Sequence, residues 1–559
     1  MKSIMRTVLI LMVLVLLFTS GCGVIGGPVT WKSGRSAGAS VTETSKIIDS
    51  YTLQEGTAEE FTVANYYSDD MVVPRDRRIE IWGTAPESQN GKVVAAEFKG
   101  LKGSGVIKDG SFRFALQGTL PASKEKGHNI VVKGAPGVQE EFKDVIVGDI
   151  WIVSGQSNAD LTFYGTLPQS TNDIKKLYKD YLAEATEEDD IRLLQQINWS
   201  LLNKAGVERM ETPQDDVGKT TKWSVASRKK VYGTGSGNSF SMLGYFFAKE
   251  LYKINPDVPI GIVMAACGGA PLALLASPDA RQQFHANLKD RTITLNDIQL
   301  PSSGIYNAFM APLTHVGITG MIFYQGESDA LLSKEYTDAL KTTVEDYRVQ
   351  FGSDLLFLNV QLTTYGFESG GESLVGVWDA VPQMRFAQAE VKIDNSIRNY
   401  EIIPTIDVGF IKGDADGAHP YYKYDIGLRG AKMAAALVYG IGDIEEEGFP
   451  IPSKITYDKT EVVIEYSYTA GGLKTSDGRE PQGFEVLLDG VWSLVFPVIE
   501  GNTVRIEAEN AQGVRYAPNL RYMTKLDSVP RSKDMTMANL VSGNGNIAVP
   551  FSVEFNTGD

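Results

Sequence analysis

The sequence predicts an α/β fold in which a parallel sheet carries helices on both faces, flanked by N- and C-terminal β-sandwich-like domains. Three observations carry that prediction. Across residues 148–445 short apolar runs alternate with helix-period segments, the pattern of a doubly wound parallel sheet. Residues 56–147 and 446–559 instead show short alternating strands between turn residues, the pattern of small sandwiches. The length, 559 residues, exceeds what one hydrophobic core supports and calls for roughly three or four domains.

The composition bounds the partners. With 43% hydrophobic and 22% charged residues the chain is globular. A formal charge of -16 and a pI near 5.0 disfavour nucleic acid and anionic membrane surfaces.

The chain opens on a targeting segment over residues 1–21. Lys2 and Arg6 form a positive end, and Thr7 to Phe18 form an apolar run too short to span a bilayer comfortably. Ser20-Gly21-Cys22 resembles a bacterial lipobox, with Thr19 in place of the usual aliphatic residue. Cys22 is therefore expected to carry lipid and to anchor the mature chain in the cell envelope, its one contact with a membrane. Residues 22–55, rich in Gly, Ser and Thr, read as a flexible tether.

In the N-terminal β region, Arg78 to Gly83, Ser111 to Leu116 and Asn129 to Lys133 alternate as strands, with turns at Asp109-Gly110 and Pro136-Gly137. In the central region the expected strands are Ile150 to Val153, Ile260 to Met264, Gly320 to Tyr324, Leu355 to Gln361 and Ile402 to Val408. Helices are expected over Phe240 to Leu251 with Ser239 as N-cap, over Lys334 to Gln350, and over Asp425 to Tyr439 ended by Gly440. Residues 163–223 are charged, partly helical around Asp173 to Glu187, and read as an insertion over one face. After residue 446 strands recur at Glu461 to Tyr466, Phe484 to Leu488 and Thr503 to Ala508.

The chemistry is expected at the carboxyl ends of the central strands, where open α/β sheets bind ligands. The run Ile150 to Val153 leads into Ser154-Gly155-Gln156-Ser157-Asn158, which presents Ser157 at such an end. From this stretch alone an ordinary polar loop is equally compatible. A serine nucleophile needs a base, and His419 follows the strand Ile402 to Val408 by a loop, at the same edge. Asp416, three residues before it, can orient the imidazole; Asp414 is a weaker candidate. His128, His285 and His315 read as surface or packing residues. An ester hydrolase also needs donors for the developing oxyanion. Gly268-Gly269, after the strand ending at Met264, allows a backbone N–H to approach closely, and Gln325, after the strand ending at Tyr324, carries an amide.

The only cysteines are Cys22 and Cys267. With Cys22 lipidated, no intrachain disulfide is expected. None of the four histidines forms a zinc-spaced pair with a cysteine or another histidine, so no metal is expected. Cys267 reads as a small buried residue.

A series of motifs in order resembles the sialate O-acetylesterase family, within the SGNH/GDSL-type hydrolases. The segments are Met71-Val72-Val73-Pro74-Arg75-Asp76 to Trp82-Gly83, Gly148-Asp149-Ile150-Trp151 to Gly155-Gln156-Ser157-Asn158, and Phe240-Ser241 to Tyr245-Phe246-Phe247-Ala248. Gly268-Gly269, Tyr306-Asn307-Ala308, Tyr324-Gln325-Gly326-Glu327-Ser328, His419-Pro420 and Val514-Arg515-Tyr516 follow.

The resemblance implies an SGNH-type α/β/α domain and a serine esterase that releases acetate from O-acetylated sugars, most directly sialic acids, through an acetyl-enzyme. It implies Ser157 as nucleophile, His419 as base and then acid, and Asp416 as its partner. The oxyanion would be held by the N–H of Ser157, an N–H at Gly268 or Gly269, and the Gln325 side chain. No cofactor is implied. Ala159, Ala270 and Phe323 depart from the family's frequent Met, Thr and Trp, and Asp416 to His419 is one residue longer than its frequent form. These departures leave room for another polysaccharide acetylesterase, such as one acting on acetyl-xylan. A non-catalytic surface glycan-binding protein is the remaining alternative.

Overall fold

The computed structural model describes residues 53–166, 175–176, 179–180, 188–196, 207–233, 239–295, 297–363, 375–408, 419–420, 422–516 and 538–555. The targeting segment, Cys22, Asp414, Asp416 and most of the helix expected at Asp173 to Glu187 lie outside the described residues.

At the centre stands β1, Ile146–Gly155, ten residues long and buried throughout. Its near-continuous apolar character is what a parallel strand covered on both faces requires. The sheet continues with β2 (Glu188–Gln195), β3 (Trp223–Ala226), β4 (Ile260–Ala266), β5 (Ile318–Tyr324), β6 (Leu356–Val360) and β7 (Tyr400–Ile403). Their spatial order is β3-β2-β4-β1-β5-β6-β7, and Val72–Pro74 adds a short parallel pairing to the start of β1. All these neighbours are parallel except β3, which runs antiparallel to β2.

The register places the site. Gly155 of β1 lies opposite Ala266 of β4 and opposite Tyr324 of β5. Three strands therefore stop level with one another, and the loops that follow them open at one edge. The chain also reverses its direction of travel across the sheet at β1, which has β4 on one side and β5 on the other. Such a switch point leaves a crevice beyond the strand ends.

One expectation changes here. Within residues 163–223, β2 joins the sheet beside β4 as an integral strand, not as a covering insertion. Ile191, Leu193 and Leu194 are buried as a strand demands, but Arg192 sits among them. Its guanidinium is fully buried and paired to Asp70 and Asp144. That charge and the flanking acids mask the apolar run.

Five helices frame the site: α1 (Ser157–Asp160), α2 (Met242–Ile254), α3 (Ser333–Phe351), α4 (Val375–Ile393) and α5 (Tyr424–Ala434). The N-cap of α2 is Ser241, whose hydroxyl accepts from the Gly244 N–H. Ser239, the expected cap, donates instead to the Val231 carbonyl. Helix α2 packs against α5, and α3 against α4. Phe247 of α2 meets Trp151 of β1 edge-on at 5.0 Å. After α5 the chain widens into a π-turn over Ala435–Tyr439 and stops at Gly440, φ 65°.

Both flanks are antiparallel. Before β1 lie a three-stranded sheet (Thr62–Val63, Glu80–Thr84, Ser111–Ala115) and a four-stranded one (Leu101–Val106, Val93–Phe98, Ile130–Lys133, Gln139–Phe142). After α5, two four-stranded sheets are built around Glu461–Ser467 and Phe484–Leu488. The boundary drawn at residues 147 and 148 falls inside β1, which runs unbroken across it.

Candidate active site

At the end of β1 the chain must turn within one residue. Gly155 does so at φ 132°, and a Cβ there would stand 2.0 Å from the Tyr324 carbonyl oxygen. The turn is stitched to both neighbours: the Gln156 N–H donates to Tyr324, and the Cys267 N–H donates to the Gly155 carbonyl. Gln156 is buried, and its side-chain oxygen accepts from the Ser328 N–H. These bonds hold the start of α1, where Ser157 sits.

Ser157 Oγ lies 2.7 Å from His419 Nε2. The two residues are 262 positions apart in sequence. That distance is the one at which an imidazole takes a hydroxyl proton. Asp416, the expected partner of the other ring nitrogen, is outside the described residues.

Gly268 borders the serine. A Cβ at Gly268 would lie 3.9 Å from Ser157 Cβ and 3.9 Å from an Asp160 carboxylate oxygen. Gly268 and Gly269, the two glycines considered for the oxyanion, both follow β4 directly beside the serine turn. Gly269 follows at φ 75°, a conformation glycine adopts without strain. Cys267 is buried, and burial, reinforced by the Asp160 charge, holds its thiol protonated. It is no rival nucleophile.

Gln325 requires a correction. It is fully buried. Its amide hydrogens point at an Asp329 carboxylate oxygen, 2.7 Å, and at the Ala270 carbonyl, 3.2 Å. Its oxygen accepts from Tyr336 Oη at 2.6 Å. The amide nitrogen is spent on these acceptors, with a longer contact to Gln156 Oε1 at 3.4 Å, so the side chain braces the β5 loop against the turn that carries Ser157. Asp329 is itself fixed by the Leu272 N–H and by Arg291.

Four residues join the site that patterning did not single out. Asn158 Nδ2 donates to Glu327 Oε1 at 2.6 Å. Lys423 Nζ donates to Asn158 Oδ1 and to the Pro420 carbonyl, 2.6 Å each. Burial pushes Glu327 up to about 7 against the lowering effects of Asn158 and Lys423. Burial also pushes Asp160 up to about 7, opposed by the Gly268 N–H. Asn158 stood in the motif that ends the Ser157 turn, and Asp160 was signalled only by lying three residues after Ser157. Glu327 stood inside the motif Tyr324 to Ser328 without a role of its own, and Lys423 carried no signal, since a lysine at a helix start ordinarily faces water.

The departures Ala159, Ala270 and Phe323 are each fully buried. Phe323 packs on Phe357 at 5.2 Å. They are core substitutions, and none of them offers a surface to a bound sugar.

Residues 147–419 match the family model described as carbohydrate esterase, sialic acid-specific acetylesterase. This segment is similar to that acetylesterase family. The acetylesterase-family match begins at the second residue of β1 and ends on His419, so it brackets the Ser157–His419 pair. Sialate O-acetylesterase from Homo sapiens is 24% identical over 320 residues, covering 56% of this chain and 57% of its own length. The Mus musculus protein is 24% identical over 368 residues, covering 58% and 62%. The chain thus spans less than two thirds of these curated relatives. A solved carbohydrate acetylesterase from Xanthomonas citri superposes with a TM-score of 0.67 at 23% identity, covering 89% of this chain and all of that one. The fold is shared across both chains.

Proposed function

We propose that this protein is a serine esterase that removes O-acetyl groups from carbohydrates, with O-acetylated sialic acids as the first substrates to try. The observation that carries the reading is the 2.7 Å contact between Ser157 Oγ and His419 Nε2 at the strand edge. The family match and the curated sialate O-acetylesterase relatives support the choice of sugar.

In this reading His419 Nε2 takes the Ser157 proton as Oγ attacks the acetyl carbonyl. The N–H of Ser157 and an N–H at Gly268 or Gly269 receive the oxyanion. Collapse expels the sugar oxygen, which takes the proton back from His419, and leaves an acetyl group on Ser157. Water, deprotonated by His419, then releases acetate and restores the serine. Asp416 orients the imidazole. Because Ala159, Ala270 and Phe323 are interior residues, their departure from the family's usual types no longer argues for acetyl-xylan. The two flanking pairs of antiparallel sheets are read as sandwich-like domains, and Cys22 as the lipid anchor of an envelope protein.

Acetate release from O-acetylated sialic acid and acetylated xylan, measured on the full-length chain, tests the reading. Ser157→Ala and His419→Gln are expected to lower kcat at least about a thousand-fold. No release from any acetylated sugar, or full activity in Ser157→Ala, overturns it. The same preparation tests the anchor: the wild type partitions into detergent and Cys22→Ser does not.

A further inference from the structure

We propose that Lys423 is a positioning residue that holds His419 over Ser157 by tying together the two segments that carry them. The inference rests on the esterase reading of that pair, and the geometry is specific.

Lys423 is fully buried. A buried ammonium persists only where its donors are satisfied. One N–H goes to the carbonyl of Pro420, the residue directly after His419, and another to Oδ1 of Asn158, the residue directly after Ser157, each at 2.6 Å. The ammonium also stands 5.4 Å from the centre of the Tyr324 ring, at the end of β5. The bridge therefore grips the backbone next to the base and the side chain next to the nucleophile.

The second half of the device is Glu327. Asn158 Nδ2 donates to Glu327 Oε1 at 2.6 Å. An ammonium can only donate and a carboxylate oxygen can accept, so the amide has one orientation that satisfies both. Asn158 becomes a rigid strut between a cation and a carboxyl group, and α1 cannot turn without breaking one end of it. The strut runs from the His419 segment through α1 to the β5 loop, three pieces distant in sequence. A displacement of about 1 Å at a reacting pair costs on the order of 100-fold in rate, so a fixed tie here acts on turnover more than on binding.

Two variants cut the tie at different points. Lys423→Met removes the cation while keeping the stem, and Asn158→Ala leaves the Lys423–Pro420 bond in place. Each is expected to lower kcat on an acetyl ester about 100-fold with KM changed by less than about threefold. The double variant should be no slower than either single, because both cut one tie. Lys423→Arg should recover part of the rate. Should Lys423→Met fail to fold, Asn158→Ala decides. Retention of kcat within about threefold in a folded single variant, or additive losses in the double, overturns the proposal.

A readout without turnover separates this proposal from the esterase reading. NMR signals of the His419 ring, identified by their loss in His419→Gln, should move on Ser157→Ala in the wild-type background and stay put in the Lys423→Met or Asn158→Ala background. If that coupling is seen in a wild type that hydrolyses nothing, the tie stands and the esterase reading falls. If Ser157→Ala moves the ring signals equally in all backgrounds, the tie falls.

Discussion

Gln325 is held at every polar atom. Its amide nitrogen serves Asp329 and the Ala270 carbonyl, and its oxygen takes the Tyr336 hydroxyl. Removing a group bonded this way leaves several buried partners unsatisfied, and each such loss costs about 1–3 kcal/mol. Gln325→Ala is accordingly expected to lower the unfolding free energy by at least about 2 kcal/mol, read by urea denaturation. Any loss of rate should be regained at low temperature, where the variant stays folded. A specific oxyanion role would instead leave stability intact and drop kcat. The same logic separates Gln325 from Lys423, whose bonds end on the segments that carry Ser157 and His419.

At the scale of the elements, the site depends on β1, β4 and β5 ending level. Gly155 makes that possible, since only a residue without a side chain can turn at φ 132° against the Tyr324 carbonyl. Gly155→Ala combines backbone strain with a clash of backbone and Cβ. It is expected to destabilise the protein by about 3 kcal/mol or more and to part β1 from β5. Thermal unfolding together with hydrogen exchange at the Gln156 amide, which bonds Tyr324, would show both effects. A variant with wild-type stability and a protected Gln156 amide would refute this account of the turn.

For the whole molecule, two carboxyl groups beside the site set a pH dependence. Burial raises Asp160 from 3.8 to about 7 and Glu327 from 4.5 to about 7. The folded state therefore holds these protons more tightly than the unfolded chain does. Their stabilising contribution is complete below the unfolded values and is lost as pH rises through about 7. The melting temperature is thus expected to fall between about pH 5 and about pH 8. Asp160→Asn and Glu327→Gln should each flatten that slope, measured by thermal scans at several pH values. A slope unchanged in both variants would assign it to other groups.

The central sheet was legible because its strands are apolar runs bounded by turn residues, and β5 needed only two more residues at its start; β1 instead runs from Ile146 to Gly155 around the expected Ile150 to Val153, and β7 lies at Tyr400–Ile403, so the strand expected over Ile402 to Val408 was placed too late in the chain. β2 was not, since its apolar run is broken by an arginine whose ion pairs come from Asp70 and Asp144, far away in the chain. The Ser241 cap was displaced by two residues because either serine can bond a backbone group, and only packing selects which.

By itself the sequence determined the alternation of strands and helices and put Ser157, Gly268-Gly269, Gln325 and His419 after four different strands of the central sheet. Those are local properties, written in periodicity and turn residues. Only the tertiary structure decided where each side chain aims. It set Ser157 and His419 at 2.7 Å, turned Gln325 inward, buried the residues that depart from the family pattern, and brought Lys423 between the segments that carry Ser157 and His419. The reason is physical. Aim and contact are fixed by strand register and by the pairing of buried polar groups, and both join residues that lie hundreds of positions apart.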